Sequence, residues 1–201
     1  MAGRGGRHGG DAGERREEPG WQSLAEVGRD LWTAGLVTSH GGNVSLRRPR
    51  GGALITVTGA MLGRLEEGER FVPVNHGGQP DGVRGRVPSS DTKIHLAIYA
   101  ANAEVGAVIH AHPVHAIALS FEWDVIQPRN LEGQVFLGRV PVITAEWEES
   151  AEPVATALKE SPIVVVRGHG SYARGTDAWD ALRVTSALEE AAYIISLMQR
   201  R

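Results

Sequence analysis

Cysteine is absent from the 201 residues, so no disulfide or thiolate metal site can form, and a metal would have to be held by imidazole or carboxylate. Lysine is nearly absent. Lys93 falls on an early helix turn and Lys159 on a polar helix end, and neither setting is the apolar pocket that makes lysine a Schiff-base nucleophile. Positive charge is not in excess either: the net charge is -3, whereas nucleic-acid binding needs a concentrated basic surface, so no nucleic-acid partner is expected. No stretch reaches the roughly 18 apolar residues of a membrane span. The N-terminus has arginine and glycine but no apolar centre of signal-peptide length. A cytoplasmic location and no membrane partner are the expectations, and the lack of cysteine fits a reducing compartment.

With 41% apolar residues the chain has enough material for one well-cored domain. Residues 1–19, "MAGRGGRHGGDAGERREEP", are too polar and glycine-rich to offset their ordering entropy, which predicts a disordered arm ahead of a domain over 20–201. Trp21, Leu24, Val27, Leu31 and Trp32 recur at helical spacing, and Gly35 follows where a helix would end. "HGGNVSLR" and "GALITVTG" read as two paired strands across "RPRGG", and "FVPVN" as a third. "DTKIHLAIYAAN" reads as a helix capped by Ser89 or Ser90. "VGAVIHAH" is a β-branched run, and Pro113 then opens the helical "PVHAIALS". "VPVIT" and "PIVVVRGHG" read as strands with the helix "ESAEPVATALKE" between them. A long helix capped by Asp177 closes the chain, with Val184, Leu188, Ala191 and Ile195 as its apolar stripe. Mixed strands and helices predict a layered α/β domain.

Histidine carries the chemistry. In a strand, positions i and i+2 share a face, so His110 and His112 can aim two imidazoles at one point. That is metal-ligand spacing, although two strand histidines satisfied by hydrogen bonds would look the same. His169 lies between two glycines at the end of an apolar strand, where small neighbours allow close approach. Three imidazoles plus a carboxylate or water would complete a tetrahedral zinc site with an open position. His115 falls across the strand-to-helix switch and should point elsewhere, and His95 fits a core histidine.

Three further segments place small polar residues beside glycine or a helix start: "SHGGNVS" with Asn43 and Ser45, "TVTGAM" with Thr58 and Gly59, and "VPSSD" with Ser89 and Ser90. Singly each is a turn or a cap. Together their hydroxyls and backbone N–H groups suit a phosphate.

In order and spacing, "GLVTSHGGNVSLR", "ITVTGAMLG", "PSSDTKIHLAIYAANAEVGAVIHAHPVHAIALS" and "VVVRGHGSYARG" resemble the class II aldolase/adducin family over about residues 21–198. The resemblance implies a three-layer α/β/α sandwich around a mostly antiparallel sheet. It also implies a homotetramer with active sites between subunits. By position, His110, His112 and His169 match the family's zinc ligands, with one Zn²⁺ or another divalent metal per subunit. Asn43, Thr58, Gly59, Ser89 and Ser90 match its phosphate-binding loops. Asp91 matches its acid–base carboxylate, which is glutamate in the aldolases and aspartate in the epimerases, and as a metal-side carboxylate it could ligate zinc or move a proton.

The activity so implied is zinc-dependent cleavage of a small phosphorylated sugar, a fuculose-1-phosphate-like ketose 1-phosphate, to dihydroxyacetone phosphate and an aldehyde. The fuculose-phosphate aldolases take a tyrosine from the neighbouring subunit in a segment matching "VIQPRNLEGQVFLGRVPVI". None stands there, and Glu132 is the residue best able to transfer a proton. A sugar-phosphate 4-epimerase, a methylthioribulose-phosphate dehydratase-like lyase and a non-catalytic adducin-like module are the alternatives.

Overall fold

In β4 (Ala107–Ala111) every residue is buried, because this strand lies inside a sheet with apolar helices on both faces. A computed structural model gives this arrangement and describes residues 20–66 and 68–199. The arm expected over residues 1–19 lies outside them. The strands preceding β4 are β1 (Asn43–Arg47), β2 (Ala53–Thr56) and β3 (Phe71–Val74), and those following are β5 (Val125–Ile126), β6 (Val140–Ile143), β7 (Ile163–Val166) and β8 (Gly170–Gly175). They pair in the order β3-β2-β1-β4-β8-β7-β6-β5, and only β6 and β7 run parallel. The sheet is therefore mixed and mostly antiparallel.

Successive residues of a strand serve opposite layers. Val108 packs with Ile94, Ile98 and Tyr99 of α2 (Thr92–Ala101) and with Val154 and Leu158 of α5 (Ala151–Glu160). Ile109 packs with Leu24, Val27 and Leu31 of α1 (Gln22–Thr33) and with Ala178 and Ala181 of α6 (Ala178–Gln199). Each fully buried Leu or Val contributes roughly 1.5–3 kcal/mol, which is what holds these helices on the sheet. On the same side as α6, Ala116 and Leu119 of α3 (Val114–Ser120) meet Ile163, Val165 and Leu188. Val184, Leu188, Ala191 and Ile195 are all buried, and the Asp177 carboxylate accepts from Asp180 N–H at 2.8 Å as the cap of α6. Arg47 joins the layers by donating to the carbonyls of Tyr99, Val105 and Asn102 at 2.7, 2.6 and 2.5 Å. Two of those carbonyls belong to the end of α2, where helix carbonyls lack partners of their own.

The structure departs from the sequence reading in four places. The strand expected to run into "RGHG" ends at Val166, and the chain turns there: His169 N–H bonds back to the Val166 carbonyl at 3.0 Å, with Gly168 at φ 68°. His169 is thus a turn residue. Residues 170–175, not expected as a strand, form β8 because β4 and β7 flank them on both sides. Neither Ser89 nor Ser90 caps α2 with its side chain. Instead the Ser89 carbonyl accepts from Thr92 N–H and Oγ1 at 3.0 and 2.6 Å, and Ser89 Oγ accepts from Asp91 N–H at 3.3 Å. Finally, Glu132 lies on a short helix, α4 (Leu131–Phe136), in a segment where no helix was expected.

Candidate functional site

His110 stands near the end of β4 on the same face as Val108, and His112 follows just past the strand, anchored by a 2.7 Å bond from its N–H to the Leu36 carbonyl. The β7–β8 turn brings His169 to the same point. Ring centroids lie 4.8 Å apart for His110–His112 and His110–His169, and 5.8 Å for His112–His169. The nearest ring nitrogens of the three all fall within 4.8 Å of one another. Glycine makes this convergence possible: a Cβ on Gly41 would stand 2.7 Å from His112 Nδ1, and one on Gly170 2.4 Å from the Ala111 carbonyl oxygen.

The donor chemistry fits a divalent metal. His110 Nδ1 is 3.0 Å from the Ser171 carbonyl, which only accepts, so the proton sits on Nδ1 and the Nε2 lone pair faces the trio. Nε2 of His110 and His112 approach to 3.0 Å. Burial lowers the His110 pKa to about 3, with His112 and His169 adding and Asp91 opposing, and burial lowers that of His112 also. These two imidazoles are neutral at pH 7, the form a metal ion binds.

Asp91, immediately before α2, is 4% exposed and lies 3.7 Å from His110 Nε2. Its Oδ2 accepts from Asn43 Nδ2 at 2.8 Å and Tyr172 OH at 3.1 Å, and its Oδ1 from Trp147 Nε1 at 2.7 Å. Burial pushes the carboxyl pKa up, but His110 and the bonds from Asn43 and Trp147 outweigh it and bring it down to about 2. Burial, then the charge of Asp91, holds the Tyr172 phenol protonated, and its ring stacks on His110 at 4.4 Å. Asn43, His110 and Tyr172 form one row across three strands, since Asn43 pairs with His110 and His110 with Tyr172 in the sheet register.

A cavity of about 310 Å³ opens over this row, and Asn43, Thr58, Gly59, Ser89, Ser90, Asp91 and the three histidines line it. An isolated bridge between Val57 and Pro88 lays the Thr58 and Ser89 loops side by side. Thr58 N–H and Ser89 N–H are spent on that bridge, on Val87 and Thr56 carbonyls at 2.9 and 3.0 Å. Thr58, Gly59 and Ser90 are exposed and line the opening. This is a polar recess beside a helix start, suited to an anion.

Other expected residues lie apart. Ser45 is inside the core, where its Oγ meets His95 Nδ1 and Tyr99 OH, both at 2.7 Å. His115 turns away to Glu189 at 2.7 Å and Tyr193. Glu132 is exposed on α4, outside the cavity of its own chain. Two residues unassigned from sequence, Tyr172 and Trp147, hold Asp91. Tyr172 stands in the quoted "GHGSYARG", whereas Trp147 in "AEWEES" carries no motif.

The family model described as the class II aldolase and adducin N-terminal domain matches residues 22–196. The chain belongs to the class II aldolase and adducin family. It is 31% identical over 187 residues to a methylthioribulose-1-phosphate dehydratase of Pseudomonas paraeruginosa, covering 84% of this chain and 89% of the relative. An L-ribulose-5-phosphate 4-epimerase of Salmonella paratyphi C is 32% identical, with 85% and 81% covered. Among solved structures, the L-fuculose-1-phosphate aldolase of Thermus thermophilus superposes with a TM-score of 0.82 at 33% identity, covering 90% of this chain and 94% of that one. These three relatives share a phosphorylated sugar but not a reaction. No helix among the described residues is long and apolar enough to cross a membrane.

Proposed function

We propose that this protein is a metal-dependent aldolase that cleaves a small ketose 1-phosphate, of the fuculose-1-phosphate type, into dihydroxyacetone phosphate and an aldehyde. The observation that carries the reading is that a buried, ionised carboxylate, Asp91, opens on the same cavity as three convergent imidazoles and a polar recess for an anion. A divalent metal, zinc in this proposal, would be held by His110, His112 and His169 and would supply the Lewis acid that draws electron density from the substrate carbonyl.

Thr58, Gly59, Ser89 and Ser90 hold the phosphate, away from the reacting bond, so that binding energy there orients the sugar. Asn43 lines the same recess; one of its two amide N–H groups donates to Asp91 and the other remains for the phosphate. Asp91 moves the proton: it takes one from a substrate hydroxyl as the carbon–carbon bond breaks and returns it to the carbon left on the phosphorylated fragment. Its Oδ1 has a lone pair free for this, because only Trp147 bonds to it among the described residues. Tyr172 keeps the carboxylate over His110. In a homotetramer with sites between subunits, Glu132 on the surface of α4 is the group proposed to serve a neighbouring cavity.

The test is a panel of ketose 1-phosphates offered to metal-loaded protein, with dihydroxyacetone phosphate followed by coupled NADH oxidation and metal content measured on the same sample. Release of equimolar triose phosphate and aldehyde supports the aldolase. A rearranged sugar with almost no free aldehyde would make it an epimerase, and loss of water with the carbon chain intact a dehydratase. A sample with no bound divalent metal and no turnover would favour an adducin-like module.

A further inference from the structure

Trp147 is placed where burial does not account for it. It begins a 3-10 turn, Trp147–Glu149, between β6 and α5, and stays 40% exposed. A ring that exposed forgoes much of the free energy that usually fixes a tryptophan. Its backbone is nevertheless pinned: its carbonyl accepts from Ser150 N–H at 3.3 Å and from the hydroxyl of fully buried Ser150 at 2.8 Å. From this fixed turn the ring forms a wall between the cavity and a neighbouring groove lined by Thr144, Glu146, Glu149 and Arg167. Its single polar atom reaches Asp91.

A carboxylate offers about two lone-pair sites on each oxygen. On Asp91, Asn43 and Tyr172 take those of Oδ2, while Trp147 takes one of Oδ1 and leaves one. Rotation about the Cβ–Cγ bond moves both oxygens together, so a donor on Oδ1 opposes any turn of the carboxylate plane that the two donors on Oδ2 would follow. Among the described residues the indole N–H is the donor that acts on Oδ1 itself, the oxygen facing the reaction.

We propose that Trp147 is a positioning residue, whose N–H fixes Oδ1 of Asp91 so that the remaining lone pair of that oxygen is aimed at the reacting group in the cavity. The proposal rests on the reading of Asp91 as the acid–base group. Two variants separate its donor from its bulk. Trp147→Phe removes the N–H and keeps a ring as wall, whereas Trp147→His keeps an N–H at the matching position of a five-membered ring and opens the wall.

With Trp147→Phe, kcat should fall about tenfold to a hundredfold with KM unchanged, as for loss of one charge-assisted hydrogen bond used in the transition state. With Trp147→His, kcat should return to within about threefold of the parent while KM rises. A second readout needs no turnover: the indole N–H resonance of ¹⁵N-labelled protein, assigned by its disappearance in Trp147→Phe, should move when Asp91→Asn removes the charge. An unmoved resonance overturns the hydrogen bond. A Trp147→Phe enzyme with parental kcat, beside an inactive Asp91→Asn, overturns the positioning role alone. Parental activity in Asp91→Asn overturns the acid–base reading beneath it.

Discussion

His95 sets an acid limit on the fold. It has no exposed surface, its Nδ1 meets Ser45 Oγ at 2.7 Å, and its Nε2 has no partner among the described residues. Burial lowers its pKa from 6.5 to about 4, against the opposing pull of Asp91. In the unfolded chain the ring takes up its proton near 6.5. The unfolded state therefore binds more protons between those values, and stability must rise with pH there. The stabilisation is complete above pH 6.5, is lost as pH falls toward 4, and is gone below. At roughly 1.4 kcal/mol per pH unit, this interval amounts to about 3 kcal/mol, a large share of the roughly 5–15 kcal/mol that holds a typical domain. The perturbation is His95→Asn, which keeps a hydrogen-bonding atom near Nδ1 for Ser45 and does not titrate. Urea unfolding of metal-free protein at pH 7.5 and pH 4.5 is the assay, because His110 and His112 then titrate equally in both proteins. The parent should lose about 2–3 kcal/mol more than the variant between the two pH values, since pH 4.5 stops short of the native pKa. Parallel losses would refute the reasoning, as would a His95 ring resonance in the native protein that titrates near 6.5.

Further outcomes follow from single contacts. His169→Ala leaves two imidazoles at the trio, and equilibrium dialysis should show divalent-metal affinity falling more than about a hundredfold, by comparison with the 10–100-fold that outer groups alone are worth. Gly170→Ala would set a methyl 2.4 Å from the Ala111 carbonyl oxygen and 2.8 Å from His112 Cδ2, so metal binding should be lost even if circular dichroism shows the sheet intact. The Glu189 carboxylate accepts from the N–H groups of His115 and Ala116 at the start of α3 as well as from the His115 ring. Glu189→Ala should lower unfolding free energy by about 1–3 kcal/mol, with metal affinity unchanged because the Leu36 carbonyl independently anchors His112.

The pieces that were legible in the sequence are those whose chemistry is local. His110 and His112 could be paired from strand periodicity alone, and the apolar β7 and the stripe of α6 follow from spacing and burial. Strand β8 could not be found in this way: "GSYARG" has glycine at both ends, and its strand conformation is imposed by β4 and β7, so tertiary pairing overrides propensity. Trp147 was hidden for a related reason. Its bond to Asp91 joins residues 56 positions apart through a surface turn, and nothing in "AEWEES" distinguishes it from a solvated acidic loop.

Register is the property that turns these scattered residues into a site. Asn43, His110 and Tyr172 come from three separate segments, but they stand opposite one another on β1, β4 and β8. Strand side chains alternate, so slipping β1 by one residue against β4 would put Val44 in place of Asn43 and turn the amide to the other face. The buried apolar set makes that slip costly, because Val44 and Ile109 pack toward α1 and α6 while Val108 packs toward α2 and α5. The same alternation that divides the core into two layers therefore fixes which strand side chains surround Asp91, while Trp147 joins them from a surface turn.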